Sequence, residues 1–572
     1  MGTKKYEIAA QSPKDGDEEE VEKKLEEVGT VQIPDGGYGW VIVAASFLAN
    51  VVVDGVIFTA PASCTPLLKG AFLSSDSRVS LAHSLMQGGY LLSGPLASAL
   101  SIRYGCRFVT IVGACVAAFG FVASTFADRI EIIYLTYGII GGVGFGLMYL
   151  PAIVVISQYF SQKRAFATGL AVCGSGIGTS LFANLNSLVL QYTDNNWRYF
   201  FFYLAGCSLI GIISGLLYRP LQPTDAQVEQ AAAIVEKYEK TKQIEHLEGD
   251  KANPEHPFLA KMEQEAEHQG GDKVWSEHEK AKEVAREVLQ EVNNPLAKSD
   301  AFYPGSTSSL NQRERTASAS AVDKEAFLRD TRRSQLSIAS PKTGTFTAVK
   351  EFLKGMVDME QMRRPSFLLL ALSGFLTMTC FYVPFAFLGK HVDRVEAHSN
   401  ETYTVLQKDM PITVLGFVNI GFRILCGRIS DSPDIDSSLV SAIALMGAGS
   451  IMVAVPLFSH YWNFIAFTVP FAFGIACFAA LRSVMCVDLW GTQKLSSSFG
   501  TLMLFMGFGA LLGSPCAAII KDFSGNFDLS FYVMGSLMVL SGLVCVPLKR
   551  IRAWEIERET RTAPVELQPL NA

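Results

Sequence analysis

The amino-acid sequence predicts an all-α membrane protein: twelve transmembrane helices in two six-helix halves, joined by a long polar central loop. Three observations carry this. Only 18% of the 572 residues are charged and 49% are hydrophobic, at a mean hydropathy of +0.26, whereas a soluble chain carries roughly 25% charged residues. The apolar residues gather into runs of about 20, the length that crosses a hydrocarbon core of about 30 Å. Six such runs precede a polar stretch, 220–364, and six follow it, as in many carriers built from two related halves. The net charge of −6 comes from acidic residues of the polar segments, such as Asp15 to Glu20. No basic footprint for nucleic acid is present.

Residues 1–37 are charged and lack an apolar face, so a disordered tail is expected. No cleavable leader is expected from this polar start, and Tyr6 stands where a myristoylation motif wants Ser or Thr. Pro34-Asp35-Gly36-Gly37-Tyr38-Gly39-Trp40 then runs into span 1, a flexible glycine turn followed by rings suited to the membrane interface. Span 1 carries Asp54, about 20 Å from Trp40 at 1.5 Å per residue. Span 2, Val79 to Ile102, holds His83 and Gln87, and His83 is read as a hydrated histidine near its outer end. The basic turn Arg103-Tyr104-Gly105-Cys106-Arg107 follows.

Spans 3 and 4 run from Phe108 to Ala127 and Ile132 to Ser157. The glycines of span 4 and the start of span 5 suit close helix packing. Between these spans lies Tyr159-Phe160-Ser161-Gln162-Lys163-Arg164-Ala165-Phe166. In span 5, Asn184 and Asn186 fall on opposite faces. The first half, 38–219, closes with span 6 near Tyr218. The central loop, 220–364, offers two charged helical segments, Thr224 to Leu247 and Ser276 to Val292, and two basic triplets around Thr316 and Ser334 suited to phosphorylation. The second half, 365–548, contains spans 7 to 12, starting with Phe367 to Leu388 and Pro411 to Ile429, and leaves a tail, 549–572.

Span 8 sets Arg423 inside apolar residues, with Asn419 one turn before it on the same face. An intramembrane guanidinium costs at least a few kcal/mol and faces a partner or a watery pathway. A substrate pathway and a packing pair are the two readings. Arg482 in span 10 lies at a similar depth, either facing the same pathway or snorkelling to headgroups. Counting places Asp54 roughly 12 Å from the level of Arg423, so no direct pair is expected.

The entry string Asp35-Gly36-Gly37-Tyr38-Gly39-Trp40 and the link Tyr159 to Ala171, with Lys163 and Arg164, together resemble the monocarboxylate transporter family of the major facilitator superfamily. Phe166 departs from the usual Leu. The resemblance implies the major facilitator fold and a carrier for a small organic solute working by alternating access. It also implies that Arg103 and Arg107, echoed by Arg428 and Asp431 after span 8, latch helix ends. Family members that move lactate with a proton have a lysine late in helix 1, and that position is Phe58 here. Their helix 8 acid is Asn419 here, while the arginine that binds carboxylate is kept as Arg423. Asn419 cannot take a proton, which leaves Asp54 as the spare acid within a span. These departures place the chain closer to atypical members than to proton-lactate carriers. Arg423, Asn419, Arg482, Asp54 and Phe58 are therefore the expected substrate site.

Basic residues flanking the spans, including Lys23, Lys24, Arg363, Arg364, Lys549 and Arg550, put both termini and the central loop in the cytoplasm. The sequon at Asn400 then falls outside, as on a plasma-membrane glycoprotein. No phosphate loop, CxxC pair or histidine cluster occurs, so neither an enzyme nor a cofactor is expected. A single-span immunoglobulin-like partner is implied for some family members. A non-transporting sensor or scaffold is the alternative to a carrier.

Overall fold

The computed structural model describes residues 34–220, 227–234, 282, 361–398, 402–431, 435–491 and 495–562. The Asn400 sequon and the basic triplets of the central loop lie outside them. All regular structure among the described residues is helical. The first half contains α1 (Gly39–Phe72), α2 (Asp76–Leu92), α3 (Arg103–Ser124), α4 (Ile130–Tyr159), α5 (Arg164–Tyr192) and α6 (Trp197–Leu217). The second contains α7 (Pro365–Ala397), α8 (Val405–Asp431), α9 (Ser437–Leu457), α10 (Tyr461–Trp490), α11 (Leu495–Ser524), α12 (Asp528–Cys545) and α13 (Leu548–Thr562). Eleven helices among the described residues are long and apolar enough to cross a membrane, and α2 completes the bundle of twelve. Both halves belong to one compact unit; the helix 227–234, with its Lys282–Glu229 ion pair of 2.7 Å, belongs to another.

Three boundaries differ from the sequence reading. The expected span 2 is interrupted at Ser93, whose hydroxyl donates to the Tyr90 carbonyl at 3.0 Å, and the helix resumes at Gly94 with a proline in its first turn. It runs on into α3 through a kink at Gly105, whose φ of +80° suits only glycine without strain. Helix α7 runs past Leu388 to Ala397, so His391 as well as His83 lies on a spanning helix. Helix α8 starts at Val405 with Pro411 inside it; the Gln407 carbonyl, which Pro411 has no N–H to meet, accepts instead from the Tyr461 hydroxyl at 2.8 Å. This brings Asp409 into the helix.

Glycines set the closest approaches within the first half. A Cβ on Gly142 of α4 would stand 2.5 Å from the Met86 carbonyl oxygen of α2. Backbones meet there as small residues allow.

Helix α13 occupies what reads in the sequence as a tail. Its Glu555, 6% exposed, accepts from both the backbone N–H and the hydroxyl of Ser366 at 2.7 Å each. That satisfies an orphan donor at the start of α7. Arg552 Nε donates to the Leu489 carbonyl of α10 at 2.8 Å, and Lys549 pairs with Asp436, the N-cap of α9, at 3.3 Å. One short amphipathic helix thus ties three others together.

Candidate substrate site

A cavity of about 100 Å³ lies between the halves, walled by α4 and α5 on one side and α8, α10 and α11 on the other. Arg423 and Arg482 both border it, each 7% exposed. Leu150, Ile153, Val172 and Met503 supply apolar walls. Arg482 does not snorkel to the helix end: its guanidinium stands 5.5 Å from the Phe499 ring centroid, a cation–π arrangement. Neither arginine has a carboxylate oxygen within 4.0 Å among the described residues. Arg423 Nε and Asn419 Oδ1 are buried with no hydrogen-bond partner.

Asp54 lies behind the wall. Tyr90 donates to its carboxylate at 3.5 Å, and the Tyr90 ring packs edge-on against Tyr149, a cavity residue, at 5.0 Å. As counting indicates, Asp54 makes no ion pair with Arg423. Phe58 does not border the cavity. It stacks on Phe385 of α7 at 4.9 Å, beside Phe381 and Tyr382. An aromatic joint between the halves stands where a lysine was the family's expectation. The five expected residues therefore divide into two at the cavity (Arg423 and Arg482), one buried a turn along α8 from Arg423 and outside the lining (Asn419), one behind (Asp54) and one in the joint (Phe58).

His83 is not hydrated. It is 1% exposed, with Nε2 3.1 Å from the Thr65 hydroxyl and Nδ1 3.0 Å from the Tyr137 hydroxyl. Partners on α1 and α4 satisfy both ring nitrogens, which a count of residues from the helix end does not reveal.

The halves meet in a polar seam at the end of the bundle opposite the chain termini. From α5 to α8, Ser180 Oγ donates to the Thr413 carbonyl at 2.7 Å, Asn184 Nδ2 donates to Thr413 Oγ1 at 2.8 Å, and Ser187 Oγ bonds Asp409. Asn186 turns the other way, to Thr59 of α1 at 2.9 Å. A second link between the halves joins α2 to α11: Asp76 is held by Lys69 of α1 at 2.9 Å and by Lys521 of α11.

The two sequence motifs touch each other at the terminal end. The Asp35 carboxylate accepts from the backbone N–H groups of Ser161 (2.8 Å) and Lys163 (3.2 Å), fastening the α4–α5 link. Gly37 has φ +57°, and a Cβ on Gly39 would stand 2.9 Å from the Phe160 ring. Trp40 packs edge-on against Phe160 at 4.9 Å and lies 6.1 Å from Phe166, so the departure from leucine adds a ring to this cluster. Arg164 is buried while the Lys163 side chain is exposed. At the helix 2–3 turn Arg103 packs over Tyr104 at 5.5 Å and Arg107 is exposed; Arg428 is exposed near the end of α8. The Asp431 side chain lies outside the described set. Removing the clasp with Asp35→Ala leaves two N–H groups unmet, at a cost of about 1–2 kcal/mol. The purified variant should melt at lower temperature than wild type, with Asp35→Asn between them; equal melting of all three would show the clasp is idle.

Comparison with known proteins agrees with this architecture. Residues 42–470 match the profile of the Major Facilitator Superfamily. Mouse monocarboxylate transporter 14 is 26% identical over 510 residues, covering 88% of this chain and 89% of the relative. Human monocarboxylate transporter 1 is 24% identical over 517 residues, covering 89% and 84%. Chicken monocarboxylate transporter 9 is 26% identical over 563 residues, covering 93% and 97%. Among solved structures, the proton:xylose symporter XylE superposes with a TM-score of 0.52 at 14% identity over 89% of this chain and 95% of that one, a likeness of fold. The chain belongs to the major facilitator superfamily, and its relatives there are monocarboxylate transporters.

Proposed function

We propose that the protein is a secondary-active or facilitative carrier of a small carboxylate-bearing organic solute, working by alternating access with Arg423 as the anchor. One observation carries the reading: two buried guanidinium groups border a single cavity with no carboxylate within 4.0 Å among the described residues. A buried charge without a partner is costly, and a solute carboxylate would supply the missing partner through two parallel hydrogen bonds to the planar fork. The apolar walls suit an apolar solute body, and the names of the relatives point to the same chemistry. The test compares metabolite uptake in cells with and without the protein. A carrier gives saturable uptake that accelerates when the solute is present on the far side. Uptake indistinguishable from control cells across the metabolite set favours a sensor or scaffold.

For topology we propose cytoplasmic termini and central loop, a plasma-membrane location, and glycosylation at Asn400. The support is the basic flanks and the position of the sequon between α7 and α8. Glycosidase should shift the mobility of wild type and not of Asn400→Gln. Antibody that reaches the central loop in intact cells overturns the orientation.

A further inference from the structure

We propose that Asp409 is a proton-binding site of the polar seam, so that closing this end of the carrier takes up a proton. The inference rests on the alternating-access reading. Asp409 sits in the second turn of α8, and its Oδ2 meets Ser187 Oγ of α5 in the other half at 2.5 Å. Among the described residues that hydroxyl is the one hydrogen-bond partner of the carboxylate. The other charged groups nearby are already engaged. Lys408 pairs with Asp393 at 3.1 Å and Glu396 at 2.5 Å, both on α7. On α10, Tyr461 donates to the Gln407 carbonyl at 2.8 Å, and on α5 the Asn184 amide is committed to Thr413 and Ser180.

When the halves part at this end, Asp409 faces water and carries its charge at no cost. Closing them leaves the carboxylate half-buried, bonded to one hydroxyl and to no cation among the described residues. A carboxylate that loses much of its hydration without gaining a cation is costly to keep charged, and taking a proton removes most of that cost. The neutral carboxyl then donates to or accepts from Ser187, as a hydroxyl partner permits. The proton comes from the medium on this side and binds a carboxyl oxygen, with no other bond made or broken. The α2–α11 link behaves differently: Asp76 is bracketed by Lys69 and Lys521, so it closes fully charged. Asp409 stands about 15 Å along α8 from Asn419. Proton dependence would thus reside in the gate and not at the anchor.

The experiment reads the gate without a solute. Spin labels replace Tyr192 at the end of α5 and Trp462 at the start of α10, residues that are 88% and 74% exposed on opposite halves. Electron–electron distances are measured on the purified chain in nanodiscs at about pH 7.5 and about pH 5.5, with the signal of native cysteines subtracted. The ratio of long to short distances should fall on acidification, by up to about tenfold per pH unit for one linked proton. Asp409→Asn, neutral at every pH, should give the short distance at both, and Asp409→Glu should keep the response. A long-to-short ratio that ignores pH, or an Asp409→Asn variant that responds like wild type, overturns the proposal while leaving the Arg423 reading untouched. A single short distance at both pH values in wild type likewise overturns the proposal, while alternating access itself is tested by the saturable, trans-accelerated uptake described above.

Discussion

Arg423→Lys should abolish most uptake while surface abundance stays near wild type. Lysine keeps the positive charge and loses the planar fork that can hold both oxygens of one carboxylate. Losing a charge-assisted hydrogen bond in a partly dry cavity costs about 1.5–3 kcal/mol, or roughly 10- to 150-fold in affinity. An arginine that serves packing alone gives the reverse pattern, with mutant chains retained inside the cell and normal uptake by those that reach the surface. Uptake per surface molecule for Arg423→Lys and Arg423→Ala separates the two. If both match wild type, the anchor role passes to Arg482, which borders the same cavity.

Gly416→Ala should stall the cycle with the fold intact. Gly416 of α8 faces Gly176 and Ser180 of α5 across the line between the halves. A Cβ there would stand 2.5 Å from the Gly176 carbonyl oxygen and closer still to Ser180 Oγ. The close approach is between the halves, so the added methyl acts mainly on the closed seam. Overpacking of this kind costs about 1–3 kcal/mol, a roughly 5- to 150-fold loss of the closed population, and uptake per surface molecule should fall in proportion. Gly447→Ala in α9, where a Cβ would meet nothing within 4 Å, serves as the control and should transport normally. Normal uptake by Gly416→Ala would mean that α5 and α8 need not touch during the cycle.

What the sequence reveals follows from which forces are local. Apolar runs report burial in lipid directly, so the helices are legible. Arg423 is conspicuous because charge within such a run is expensive. The motif strings mark residues under tight backbone constraint, and Gly37 and Gly39 show why those glycines are there. Depth counting gives the right sense for Asp54 and Arg423 but fails for His83, because Thr65 and Tyr137 reach it from other helices. Asp409 is hidden by Pro411, which looks like a helix start. Glu555 is hidden because its partner Ser366 lies in a different region of the chain. Phe58 reads as a missing lysine, whereas the structure gives it a positive role against Phe385.

Helix α13 also bears on how this protein can be handled. Because Glu555, Arg552 and Lys549 reach the starts of α7 and α9 and the end of α10, the second half has a strut where a dispensable tail would be expected. A reporter fused after Val546 would strip the Ser366 N–H of its acceptor and loosen the ends of three helices together. The same reporter placed beyond Thr562 leaves the strut whole. Expression screens that trim the C-terminus to aid crystallisation would therefore select against the rigid second half that a rocking carrier requires.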